Sequence, residues 1–219
     1  MPATKPRLRG VSHQAAFFVA IVATVLLVGH APTAAARGAV LVFGASLSLL
    51  FGISALYHRV DWSPRARARM RRLDHAAIFL LIAGGYTPLF ALVPSATGGH
   101  RALGVIWLGA AVGVLKSLAW SKAPKWIMAL LCVALGWIAI GEVVERLPVV
   151  GATAVGLLVA CGALYSGGAL VYAVKWPDPF PRTFGYHEVF HGLVIVASAL
   201  LFMHVVWVVA AVTARAAGS

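Results

Sequence analysis

Charged residues are scarce in this chain, which excludes an ordinary soluble domain. Asp, Glu, Lys and Arg together make up 11% of the 219 residues, whereas a typical soluble domain has roughly 25%. Hydrophobic residues make up 61%. The repeated apolar stretches leave no room for a separate soluble domain, so we expect one membrane domain over residues 1–219.

Cysteine is also scarce, and the two cysteines do not indicate a redox or metal site. Cys132 and Cys161 both lie within apolar stretches and lack CxxC spacing. We therefore expect them to pack as small hydrophobic side chains. A repeat of fixed period and low-complexity tracts are absent too, so the sequence gives no indication of a repeat architecture.

What the chain has instead is a series of seven apolar segments, each about long enough to cross a hydrocarbon core of ~30 Å. Period-two alternation is absent, and a bilayer requires backbone hydrogen bonds that are satisfied internally, so these segments are predicted to be helices. The sequence thus predicts an all-α, polytopic membrane protein, a seven-transmembrane helix bundle. The predicted spans are 14–30, 39–58, 75–93, 101–119, 126–145, 149–174 and 187–211.

The positive charge indicates membrane orientation rather than nucleic-acid binding. The formal net charge is +12, but the basic residues lie in short loops between apolar spans. One side of the predicted membrane holds Lys5, Arg7, Arg9, Arg59, Arg65, Arg67, Arg69, Arg71, Arg72, Lys116, Lys122, Lys125, Lys175 and Arg182. The other side holds Arg37, Arg101, Arg146 and Arg215. Because cytoplasmic loops carry the Lys/Arg excess, the N-terminus is predicted to be cytoplasmic and the C-terminus outside.

The first span has a second interpretation. Basic residues before an apolar run, followed by Ala34-Ala35-Ala36, resemble a signal peptide with an A-x-A cleavage site. Because the apolar run reaches roughly spanning length, we expect it to be retained. Cleavage would leave six helices in the same orientation.

Local signals predict two connections. Ser63-Pro64 is a plausible N-cap followed by proline at the first helical position, which predicts a short basic interfacial helix within 59–74. The segment 175–186 contains three prolines and is predicted to be an extended or turning connection. The glycine pairs Gly84-Gly85 and Gly167-Gly168 are predicted to permit close helix contacts.

Polar side chains at one predicted membrane depth form the candidate site. His187 and His191 are four residues apart and lie on one face of a helix. His58 ends the second span, and Asp74 precedes the third. Ser54 lies one helical turn from His58 and is predicted to face the same cavity. Ionisable groups at membrane depth are expensive, which favours a functional role for the set.

The chemistry of this set favours a catalytic metal. Three neutral imidazoles suit zinc, and a site with only three protein ligands leaves a position for water. Asp74 is then a candidate general base, and Ser54 a candidate donor to the water or to a developing oxyanion. Taken singly, each residue has an ordinary explanation, such as a helix cap for Asp74 or a bond from Ser54 to its preceding turn. Iron and nickel also accept three histidines, so the residues leave the metal open.

Other polar residues are predicted to play smaller parts. Glu188 should face away from His187 and His191 and interact with the helix dipole. His204 is about 20 Å along the helix from His191 and cannot join the same ion. Interfacial solvation explains His13, and His75 is a candidate accessory partner.

At these residues the chain resembles the hemolysin III family, the bacterial branch of the progestin and adipoQ receptor superfamily. The matching stretches are Ser54-Ala-Leu-Tyr-His58, Asp74-His-Ala-Ala-Ile-Phe, Tyr86-Thr-Pro88 and Phe184-Gly-Tyr-His-Glu-Val-Phe-His191. The resemblance runs from the second span through the seventh.

The resemblance implies a multi-pass protein of the bacterial inner membrane with its N-terminus inside. It also implies zinc held by His58, His187 and His191, with Asp74 holding the zinc water and Ser54 accompanying it. The related alkaline ceramidases share this constellation. The implied activity is metal-dependent hydrolysis of a lipid amide or ester near the cytoplasmic leaflet, with membrane lipids as partners.

Two other functions are compatible with the sequence. The family name records a cytolytic activity, which makes a pore-forming or channel-like protein the main alternative. A pore needs polar groups along the full membrane depth, or an oligomer that supplies them, whereas here they gather at the cytoplasmic end. A metal-stabilised sensor without catalysis is the third function. The sequence leaves the substrate and homo-oligomerisation open, and it predicts no nucleic-acid partner.

Overall fold

The computed structural model describes residues 6–93, 99–120 and 125–218, and these ranges contain eight helices and no strand longer than an isolated bridge. The helices are α1 (Val11–His30), α2 (Ala34–Arg59), α3 (Pro64–Leu92), α4 (Gly99–Ala119), α5 (Lys125–Trp137), α6 (Ile140–Glu145), α7 (Leu147–Val174) and α8 (Tyr186–Gly218). Seven stretches of these ranges are long and apolar enough to cross a membrane, with α5 and α6 sharing one of them. The predicted all-α, seven-span architecture is confirmed. Of the basic residues that predicted its orientation, Lys5 and Lys122 lie outside the described residues, as does the side chain of Lys125.

The prediction of a separate interfacial helix within 59–74 is wrong. Ser63 does cap a helix, accepting a hydrogen bond from the Ala66 N–H, and Pro64 is its first residue. That helix is α3, which continues without interruption to Leu92. No glycine or proline lies between Pro64 and Gly84, so the helix has no internal reason to stop at the membrane surface. The third span therefore carries the arginine-rich segment as its own first turns.

The fifth span is interrupted, which the sequence did not predict. The Tyr86 hydroxyl of α3 donates to the Gly136 carbonyl, and α5 ends at the next residue, Trp137. A side chain that engages a backbone carbonyl competes with the helical hydrogen bond at that point. The chain turns at Ile138 and Ala139 before α6 begins.

Small residues allow close approach of neighbouring helices. A Cβ at Gly84 would lie 2.1 Å from Ser46 Oγ of α2, and one at Gly85 would lie 2.9 Å from Leu201 of α8. A Cβ at Gly168 would lie 3.4 Å from Phe190, whereas nothing lies within 4 Å of the position at Gly167. The predicted role of the glycine pairs therefore holds at three of the four positions.

The N-terminal segment is attached to the connection between α7 and α8. The N–H groups of Arg7 and Leu8 donate to the carbonyls of Arg182 and Thr183, at 3.2 and 3.3 Å. That connection is non-helical, as predicted from its prolines. Helix α8 packs mainly on α7 and also contacts α1, α2 and α3. The starts of α1, α3 and α8 and the end of α2 therefore meet at one end of the bundle.

Candidate metal centre

Three histidines from two helices converge at this end of the bundle. His58 lies in the last turn of α2, and His187 and His191 lie in the first turns of α8. One ring nitrogen from each residue lies within 4.8 Å of the other two. All three side chains are buried. The structure thus brings together the histidines that the sequence predicted as ligands.

The donor set fits a metal ion. The Nε2 atoms of His58 and His187 are 3.1 Å apart, close to the separation of about 3.3 Å expected for adjacent ligands around tetrahedral zinc. His191 is 2% exposed, and its Nδ1 makes no hydrogen bond to the described residues. A buried polar nitrogen of this kind requires a partner. An imidazole-bound cation supplies one for a neutral histidine.

The candidate acid–base residues form a pair beside the cluster. The Ser54 hydroxyl of α2 hydrogen-bonds the Asp74 carboxyl of α3. Ser54 is buried, and Asp74 is half-buried. Both residues line the same cavity as the three histidines. The structure therefore assembles all five predicted site residues at one place, while their chemical roles remain predictions.

The cavity has a volume of about 630 Å³ and two chemically different ends. Near the histidines its wall includes the polar side chains of Tyr57, Arg67, Arg71, Asp178 and Tyr186. Farther in, the wall is apolar and includes Ile78, Ile82, Val133, Val194 and Leu201. Leu201 follows His191 by ten residues on α8, so the cavity extends about 15 Å along the helix axis from the cluster. Its shape suits a molecule with a polar head and an apolar tail.

His13 is part of this site, which the sequence interpretation missed. Its ring stacks on the His191 ring with centroids 3.7 Å apart and an interplanar angle of 7°. The side chain is 3% exposed and lines the cavity. The expectation of interfacial solvation is therefore wrong, because the packing of α1 against α8 removes His13 from solvent. The same topology that located the other histidines also places His13 at this end, and that signal could have found it.

Glu188 connects the N-terminal segment to the site. As predicted, it does not join the histidine cluster, and its Oε2 accepts the Gly185 N–H at the start of α8. Its Oε1 accepts a hydrogen bond from Arg9 Nε, forming a partly buried ion pair that the sequence did not predict. Gly10 follows with a φ of 80°, and a Cβ there would lie 2.7 Å from His58 Cβ. The first residues of the chain thus pack directly against a candidate ligand.

Two other histidines, His204 and His75, lie at different distances from the cluster. His204 is fully buried deeper in α8, where its Nδ1 donates to the Ala154 carbonyl at 2.8 Å. It is not in the cluster, as predicted from its distance along the helix. His75 lines the cavity beside Asp74, which keeps it a candidate accessory residue.

The chain is similar in sequence to known proteins of one family. The family model described as haemolysin-III related matches residues 1–202. The chain is 32% identical to Hemolysin-3 of Bacillus cereus over 206 residues, covering 91% of this chain and 89% of that protein. It is 29% identical to the Hemolysin-3 homolog of Bacillus subtilis (strain 168) over 166 residues, covering 76% and 75%. With seven spans and bacterial relatives, the chain fits a multi-pass bacterial membrane protein. It belongs to the haemolysin-III-related family.

Proposed function

We propose that this protein is a zinc-dependent membrane hydrolase that cleaves a lipid amide or ester near the cytoplasmic leaflet. One observation carries the proposal. Three buried imidazoles with nitrogens within 4.8 Å of one another lie beside a hydrogen-bonded carboxyl–hydroxyl pair, at the polar end of an otherwise apolar cavity. Hydrolysis needs a metal or donor for the carbonyl oxygen, a base for water and a place for the substrate. This end of the bundle supplies a candidate for each.

Each residue has a defined part in the proposed reaction. His58, His187 and His191 would hold the metal, which supplies Lewis acidity toward a carbonyl oxygen and activates water. Asp74 accepts a proton from the attacking water and delivers it to the leaving group. The Ser54 hydroxyl orients the Asp74 carboxyl through their hydrogen bond. The apolar inner wall holds the acyl chain and fixes the carbonyl beside Asp74.

The metal is tested by elemental analysis of detergent-purified protein prepared without chelators. We expect about one zinc ion per chain, because three imidazoles with an open position are typical of catalytic zinc. The double variant His187→Ala/His191→Ala should lose it. His30→Ala is the matched control, since His30 is exposed at the end of α1 and hydrogen-bonds its own helix. Absence of stoichiometric metal from the wild-type protein would contradict the zinc-enzyme proposal. Stoichiometric iron or nickel would change the identity of the proposed metal and leave the rest of the proposal unchanged.

Hydrolysis is tested on lipid amides and esters with Asp74→Asn, which keeps the side-chain shape and removes the base. We expect its turnover to fall by roughly 10²–10⁴-fold, the usual contribution of a general base, with the metal content unchanged. Loss of hydrolysis with the metal retained supports the enzyme. If no amide or ester is cleaved by metal-loaded wild-type protein, a metal-stabilised sensor or scaffold becomes the better description.

Cytolysis is the second candidate, favoured by the name Hemolysin-3 of the relative from Bacillus cereus. Within the described residues the cavity begins at the histidine cluster and extends about 15 Å along the axis of α8. At the other end of the bundle Arg146 is fully buried, donates to the Val93 carbonyl and packs over Phe90. A pore through one chain would need to pass that packing, so lysis would require an oligomer. Lysis of red cells that is unchanged in Asp74→Asn would favour this candidate over the hydrolase.

A further inference from the structure

The first turns of α3 carry two pairs of arginines with different surroundings. All four side chains are exposed, but Arg67 and Arg71 line the cavity and Arg65 and Arg69 do not. Arg67, Arg71 and Asp74 are spaced at i, i+4 and i+7, so they follow one face of the helix. That face leads from the surface of the bundle down to the candidate base. Arg71 is one turn, about 4.5 Å along the axis, from Asp74.

Both arginines of the cavity wall lie near aromatic side chains of the site. The Arg67 guanidinium lies 5.4 Å from the centroid of the Tyr57 ring. Arg71 interacts electrostatically with Tyr172, whose ring lies 5.9 Å from the His187 ring. Tyr57 and Tyr172 line the cavity as well. Both arginines therefore border the cavity beside aromatic residues of its wall.

The positive charge of this pair is not neutralised by the protein. Arg9, the third arginine of the cavity wall, is paired with Glu188. Arg67 and Arg71 form no ion pair with a carboxylate among the described residues. Asp178 also lines the mouth, but its Oδ1 already accepts the Tyr186 N–H. An unpaired guanidinium pair beside a buried site favours an anionic ligand, since arginine binds carboxylates and phosphates bidentately.

We propose that the lipid substrate carries an anionic headgroup, a phosphate or carboxylate, which Arg67 and Arg71 bind at the cavity mouth. This inference rests on the proposed function, because it assigns the polar end of the same substrate. The acyl chain lies along the apolar inner wall, and the bond to be cleaved lies between head and chain, beside Asp74. The arginines thus select the substrate by its head, while the inner cavity accepts its tail.

The test measures binding by calorimetry in a nonionic detergent. The probes are a lysophosphatidic acid and the monoacylglycerol with the same acyl chain, which differ only by the phosphate. Wild-type protein should bind the anionic probe at least tenfold more tightly, because charge-assisted hydrogen bonds are among the stronger ones. Arg67→Gln/Arg71→Gln should remove this preference without changing the affinity for the monoacylglycerol. Arg67→Lys/Arg71→Lys keeps the charge and should retain part of the preference.

Arg65→Gln/Arg69→Gln is the matched control, with the same helix, spacing and change of net charge. It should keep the wild-type preference. Equal affinity of wild-type protein for the two probes would overturn the proposal, and so would an equal loss in both glutamine variants, which indicates a general surface-charge effect. Displacement of the anionic probe by inorganic phosphate at similar concentration would also overturn it, because the site would then bind a free anion rather than a lipid head.

The same measurements separate this inference from the proposed function. Binding is measured on Asp74→Asn protein as well as wild type, so it does not depend on turnover. Selective binding of the anionic probe without hydrolysis of any lipid supports the head site and contradicts the hydrolase. Equal cleavage of anionic and neutral lipids supports the hydrolase and contradicts the head site.

Discussion

At the scale of single residues, His13 shows how a side chain outside the ligand set can control a ligand. Its ring covers one face of His191 at 3.7 Å, and both side chains are almost fully buried. The stack restricts rotation of the His191 ring, which must point a nitrogen toward His58 and His187 if a metal is to bind. Changing a residue that orients a metal ligand typically lowers metal affinity by roughly 10–100-fold. His13 is therefore a positioning residue in the proposed site.

We predict that His13→Ala lowers metal affinity by roughly 10–100-fold, the range observed when a ligand loses its supporting contact. His13→Phe keeps a flat ring against His191 and should lose far less. Competition with a chromophoric chelator measures both affinities. If His13→Phe loses as much as His13→Ala, the imidazole nitrogens of His13 matter rather than its flat ring. A size-exclusion profile identical to wild type excludes misfolding as the cause.

The site residues divide by how directly the sequence specifies them. His58, His187 and His191 could be predicted because helical spacing and membrane depth depend on local sequence alone. His13 could be placed at the correct end but not against His191, because that contact depends on how α1 rotates and packs on α8. The Arg9–Glu188 pair was missed for the same reason, since it joins residues 179 positions apart. Contacts between non-adjacent helices leave no periodic signal in the chain.

At the scale of secondary structure, close contacts between consecutive helices hold the first half of the bundle. Gly84 of α3 faces Ser46 of α2, and Gly113 of α4 faces the Phe79 ring of α3, which would lie 2.3 Å from a Cβ added at that glycine. Small residues at such crossings let helix backbones approach closely, which is the main source of helix association in lipid. A side chain at either glycine would displace the facing side chain or force the helices apart.

We predict that Gly84→Ala lowers the thermal midpoint of the detergent-solubilised protein, because the new Cβ would lie 2.1 Å from Ser46 Oγ. Overpacking of this kind typically costs about 1–3 kcal/mol. Gly38→Ala is the control, since Gly38 lies inside α2 with nothing within 4 Å of the Cβ position. A thermal melt followed by circular dichroism compares the two. Equal midpoints for both variants would show that the α2–α3 crossing tolerates separation.

The sequence was sufficient to predict which segments are membrane-spanning helices, but not the residues at which the helices begin and end. Apolar length identified all seven spans, since the bilayer imposes it. Hydropathy placed the start of the third span at residue 75, but α3 begins at Pro64 because a helix extends until a breaker or cap stops it. The end of α5 at Trp137 coincides with a hydrogen bond from the Tyr86 hydroxyl of another helix to the Gly136 carbonyl. Contacts between helices of that kind affect where a helix ends, and amino-acid composition alone does not specify those ends.

At the scale of the whole molecule, charge is arranged around the ends of the bundle. The end that holds the histidine cluster also carries Arg7, Arg9, Arg59 and the arginine-rich start of α3. The opposite end carries Arg37, Arg101, Arg146 and Arg215. This asymmetry predicts that the candidate site faces the cytoplasm.

We predict that alkaline phosphatase fused after Ser219 is active in bacteria, because this enzyme folds only outside the cytoplasm and the seventh span should end there. The same enzyme fused after Lys175, in the connection between α7 and α8, should be inactive. A green fluorescent protein at each position should give the reverse result. Activity after Lys175 with none after Ser219 would invert the orientation and move the site to the outer leaflet.

The division of the cluster between α2 and α8 has a consequence for how the protein is made. His58 leaves the ribosome early, and its partner His187 follows 129 residues later, in the last helix. Insertion of the first six spans therefore yields an incomplete cluster, whatever it binds. If the cluster binds the proposed metal, the ion can be held by all three histidines only after α8 has entered the membrane. A nascent chain stalled before His187 would therefore present His58 without either histidine of α8.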